Sequence, residues 1–135
     1  MLSYKRYKII VKTFCVYDIL ALLPMAVPVI NSEHIATLSK INILLGGADW
    51  GTFLPIHLLF IQMLGILGAG WAIWRWKYIS VEIGRYEGYL RILFSVTLFW
   101  AYFLTQHPII LIFAVIDLIA SILHLIKCEC SEPKT

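Results

Sequence analysis

Charge is scarce in this chain. Asp, Glu, Lys and Arg make up 14% of its 135 residues, against about 25% in an ordinary soluble domain. Hydrophobic residues make up 61%, and four apolar runs take most of the length, so no separate soluble catalytic domain fits beside them. Cysteine is scarce too. The three are Cys15, Cys128 and Cys130, none in a C-x-x-C pair, which removes the usual signature of a disulfide exchanger. H-E-x-x-H and G-x-S-x-G are absent, so the zinc-protease and serine-hydrolase signatures have no counterpart. The Gly-rich stretch from Gly65 to Gly70 has no Lys-Ser or Lys-Thr behind it, which excludes a phosphate loop.

What is present points to a membrane. The apolar runs predict an all-α, four-helix transmembrane bundle forming one domain over residues 1–135. Its spans fall near 13–30, 53–74, 89–106 and 108–126. Each is close to the roughly 20 residues that cross a bilayer. Ten of the eleven Lys and Arg residues lie on one side of these spans, and Lys40 alone lies on the other. Short Lys/Arg-rich loops stay cytoplasmic, so both termini are expected inside, in the cell (cytoplasmic) membrane. The net charge of +3 then reflects topology and anionic headgroups rather than a nucleic-acid partner.

The first run holds Asp18, Pro24 and Pro28. Its basic start resembles a signal peptide, but an acid inside the core and the lack of an A-x-A-like site favour an uncleaved span. A long outer loop is expected over 31–52. Its own apolar stretch, Ile41 to Leu45, is too short to span and should lie in the interface or over the bundle. Trp50 at one end of the second span, with Trp71, Trp74 and Trp76 at the other, fit aromatic belts. Gly65, Gly68, Ala69, Gly70 and Ala72 make this helix narrow, as close helix packing requires. Residues 75–88 read as the polar inner loop and 127–135 as a polar tail. Thr105 to Pro108 is so short a turn that the last two spans must be antiparallel neighbours.

The residues with a claim to chemistry are those a bilayer makes costly. An Asp at a helix centre costs about 2.5–3.5 kcal/mol on insertion scales. Asp117, Ser121 and His124 share one stripe of the fourth span by their spacing. Asp18, Arg91 and His124 come within one helical turn of the same depth, with Glu87 at the rim. A polar cluster is expected there, either structural ion pairing or a ligand or proton site. Asp117 looks unreachable by any cation, because Arg91 sits about 10 Å nearer the inner face by rise per residue. It should therefore be a neutral acid, bonded to Ser95 or Tyr102. His57 and Gln62 read as interhelical hydrogen-bond partners. Cys128 and Cys130 make too few ligands for zinc, with His124 the one obvious third. No metal and no cofactor is expected.

In size, four-span plan, long first outer loop and Gly-rich second helix (Gly65-Ile-Leu-Gly68-Ala-Gly70), the chain resembles the small DoxX-like and BphX-like membrane proteins. That resemblance implies quinone or thiol redox chemistry in some members, and the missing C-x-x-C argues against the thiol version here. The expectation is a small polytopic membrane protein, more a binding protein than an enzyme, taking a lipid or quinone between its helices. The alternatives are a membrane redox component of DoxX-like type and an accessory subunit or homo-oligomer docked through the small-residue face of the second span.

Overall fold

The computed structural model describes residues 2–129. Five helices fill that length: α1 (Tyr4–Ala26), α2 (Pro28–Leu44), α3 (Pro55–Lys77), α4 (Val81–Thr105) and α5 (Pro108–Leu125). Four of them, α1, α3, α4 and α5, are long and apolar enough to cross a membrane. This is the make-up of a small multi-pass membrane protein.

Each helix buries one narrow stripe at helical spacing. On α1 it is Tyr7, Val11, Cys15 and Asp18; on α3 it is Gly65, Ala69, Ala72 and Arg75. On α4 it is Val81, Gly84, Glu87, Gly88, Arg91 and Ser95. The stripes are small or polar, while large apolar side chains such as Leu20, Leu64, Leu67, Leu93, Trp100 and Phe103 stand exposed. A water-soluble bundle has the opposite pattern. Here lipid takes the outer surface, and helices associate through small residues and polar pairs.

The helices form two units. α1 packs chiefly on α3, α4 chiefly on α5, and contact between the pairs is sparse. Gly65 and Gly68 make the first unit tight. A methyl group on Gly65 would lie 2.6 Å from the backbone nitrogen of Ala26, and one on Gly68 would enter Leu22. Ala69 and Ala72 are buried on the same stripe, whereas Gly70 faces open space. The small-residue face is thus largely covered by α1 of the same chain. In the second unit Gln106 takes a left-handed conformation (φ 56°), its N–H closes on the Tyr102 carbonyl, and Pro108 opens α5.

Several boundaries differ from the expectation. The first span begins nine residues earlier than residue 13, because the basic segment 5–12 is wound into α1. It stops at Ala26, since Val27 precedes Pro28 and is held extended (φ −97°, ψ 120°). The expected outer loop is mostly helix α2, which packs on α1, α3 and α5. The expected inner loop, 75–88, shrinks to Tyr78 to Ser80, with the Ser80 hydroxyl capping α4 through the Ile83 N–H (3.1 Å). Cys128–Glu129 (β2) pairs in parallel with Leu2–Ser3 (β1), so these two segments lie together. Cys130, Lys134 and the rest of the expected tail fall outside the described residues.

Candidate functional site

Four helices each deliver a charged side chain to one point inside the bundle. Asp18 comes from α1, Arg75 from α3, Glu87 and Arg91 from α4, and Asp117 from α5. Asp18 Oδ2 bonds both Arg75 and Arg91. Glu87 Oε1 lies at ion-pair distance from Arg75 Nη1 (3.0 Å) and Arg91 Nε (2.9 Å), although neither nitrogen makes a hydrogen bond among the described residues. The four close a ring of alternating charge. Two of its edges, Asp18–Arg91 and Arg75–Glu87, join the α1/α3 unit to the α4/α5 unit.

The ring is buried. Arg75 and Arg91 side chains are 1% and 4% exposed. Glu87 Oε2 accepts a hydrogen bond from the Trp71 indole N–H at 2.7 Å. Arg91 lies 5.4 Å from the Phe14 ring centroid and Arg75 6.0 Å from that of Trp71, so an aromatic face covers each guanidinium. Buried charges survive in low dielectric only when paired and bonded in this way.

Asp117 is attached to the ring from outside. One of its carboxylate oxygens bonds Arg91 Nη1, and its side chain is 19% exposed, the most open of the five. This corrects the expectation of an acid without a cation. Backbone rise understates the reach of Arg91, whose long stem carries its guanidinium to the Asp117 carboxylate. The expected partners are engaged elsewhere: Ser95 donates to the Ala114 carbonyl at 2.9 Å, and Tyr102 stands against Phe103.

The other singled-out residues divide. Ser121 and His124 are buried on the Asp117 helix. His124 stays out of the ring: its Nδ1 bonds the Ala120 carbonyl of its own helix at 2.7 Å, and its ring packs on Phe14. A carbonyl only accepts, so Nδ1 carries a hydrogen, and Nε2 is buried with no hydrogen-bond partner among the described residues. His57 meets Phe53 edge-on, and neither His57 nor Gln62 makes a side-chain hydrogen bond among the described residues. Nor do three His, Cys, Asp or Glu side chains meet there as metal ligands.

Sequence reasoning missed Arg75 as a ring member. As the first residue of the 75–88 stretch it reads as part of the inner loop, yet it continues the 4-3-3 spacing of Gly65, Ala69 and Ala72, and that spacing is the available signal. Glu87 was placed at the rim and sits within the ring, four residues before Arg91.

A second polar group sits at the α2 end and carries mostly neutral side chains. Asn31 Nδ2 donates to the Leu58 carbonyl (3.1 Å). Asn42 Nδ2 donates to the Ala48 carbonyl (2.7 Å) and meets His107 Nδ1 (3.0 Å). Ser39 donates to Asp49 Oδ1 (2.7 Å) and accepts from the Trp50 N–H (3.1 Å).

No family model, curated protein or solved structure matches this chain.

Proposed function

We propose that this membrane protein receives the polar head of an apolar ligand, a lipid or a quinone, beside Asp117. The carrying observation is the charge count. Asp18, Glu87, Arg75 and Arg91 cancel within the ring, and Asp117 is a third acid against two guanidiniums. An ionised acid in a bilayer interior needs a matching proton, cation or hydrogen-bond donor. Its partial exposure within an apolar helix leaves room for such a donor to approach. A quinol hydroxyl or a lipid hydroxyl or amine has that chemistry. The DoxX-like outline supports the quinone version.

Purified in mild detergent, the protein should carry a lipid or quinone identifiable by mass spectrometry. Asp117→Leu should lower its retention about tenfold, the worth of one charge-assisted hydrogen bond, while the helical content stays unchanged. Equal retention in the two proteins overturns the reading. The same proposal places both termini in the cytoplasm, supported by the skew of Lys and Arg. A reporter active only in the cytoplasm should then give signal at Ser80 and Thr135 and none at Ser39. The reverse pattern would invert the orientation.

A further inference from the structure

A cavity of about 430 Å3 opens between α2 and the segment that leads into α3. Ile35, Ile43, Phe53 and Leu58 give it an apolar lining, and Lys40 and Asp49 contribute opposite charges. It shares no residue with the charge ring. Lys40 and Asp49 line one space but form no ion pair with each other. Lys40 is also the only Lys or Arg between Lys12 and Arg75.

Asp49 is held in place. The Ser39 hydroxyl on one of its oxygens, helped by the backbone N–H of Gly51, keeps its carboxyl below the ordinary range. Ser39 is anchored in turn by the Trp50 N–H. The carboxylate therefore presents a fixed negative charge, and Lys40 a movable positive one on a long stem.

We propose that this cavity binds the head of a zwitterionic phospholipid, with its ammonium toward Asp49 and its phosphate toward Lys40. Three observations choose that ligand. Two separated, opposite charges match a molecule carrying both, whereas an anionic head would meet Asp49 unfavourably. The volume lies within the roughly 300–1,000 Å3 of ordinary ligand sites. The cavity also lies where α2 covers the ends of membrane-crossing helices, the depth at which hydrocarbon gives way to headgroups. The exposed Leu44 and Leu54 nearby offer apolar surface to the acyl chains.

The test is native mass spectrometry of the detergent-solubilised full chain titrated with short-chain phosphatidylethanolamine, phosphatidylcholine or phosphatidylglycerol. The two zwitterionic lipids should bind about tenfold more tightly than phosphatidylglycerol, as expected for one unmatched charge. Lys40→Gln should weaken the zwitterionic lipids, and Asp49→Asn should erase their advantage over phosphatidylglycerol. Lys40 is exposed and unpaired, so its loss leaves the fold intact. Asn at 49 still accepts from Ser39. Equal binding of all three lipids, or a preference that survives both substitutions, overturns the proposal. Binding of soluble glycerophosphoethanolamine as tight as that of the lipid would overturn the membrane source of the ligand.

Discussion

The two polar regions of this bundle solve the same problem with different chemistry. In the ring of Asp18, Arg75, Glu87 and Arg91, full charges cancel one another across three helices, and each carboxylate serves two guanidiniums. At the α2 end, the neutral amides of Asn31 and Asn42 donate to backbone carbonyls, and Asn42 also meets His107. The ring is collective: removing one member strands the others in low dielectric. The α2 end is modular, since an amide lost there frees neutral groups and leaves no buried charge unmatched. Strength and fragility go together in the ring, and tolerance belongs to the cap.

The sharpest way to break this contrast is Arg91→Leu. It leaves Asp117 without a cation and forces Asp18 and Glu87 to share Arg75. The expected destabilisation is about 3–5 kcal/mol, read as a fall in thermal midpoint in detergent. Asp18→Asn should be the next largest, because both guanidiniums lose the negative charge they share. Combined with Arg91→Leu it should cost less than the sum of the two single changes, and strict additivity would mean that they do not interact.

Asn42→Ala at the cap should cost roughly 1–3 kcal/mol, the worth of bonds to Ala48 and His107. A loss as large as that of Arg91→Leu would abolish the distinction between collective and modular regions. The smallest effect concerns pH. The bond from Ser39 lowers the pKa of Asp49 in the fold. Its contribution is therefore fully present above the ordinary carboxylate pKa and disappears as pH falls through the lowered one. Asp49→Asn should remove that acid-side dependence of the cap, measured by Trp50 fluorescence, and leave the ring unaffected.

The four spans were legible because lipid selects long apolar runs regardless of what the helices bury. α2 was not legible as a helix. Its inward stripe is Asn31, Ile35, Ser39 and Asn42, while Ile41, Ile43 and Leu44 face outward, so it carries no clear apolar face toward the bundle. At the ring, Asp18 and Arg91 stood out as charges inside apolar runs. Arg75 did not, since a basic residue beside three tryptophans also looks like an ordinary membrane-end anchor. The Arg91–Asp117 pair was hidden by treating helix depth as side-chain depth.

The order in which the charges occur along the chain bears on how the protein is made. Asp18 and Arg75 belong to the unit completed first, and Glu87 and Arg91 enter together, one turn apart on α4. Each half therefore reaches the bilayer with one acid already matched to one base, and neither has to wait for the other to be neutralised. Asp117, arriving on α5, is the acid in excess of the one ring arginine in its half. Two separately translated pieces, divided at Ile79, should for that reason insert independently and reassemble by exchanging ring partners.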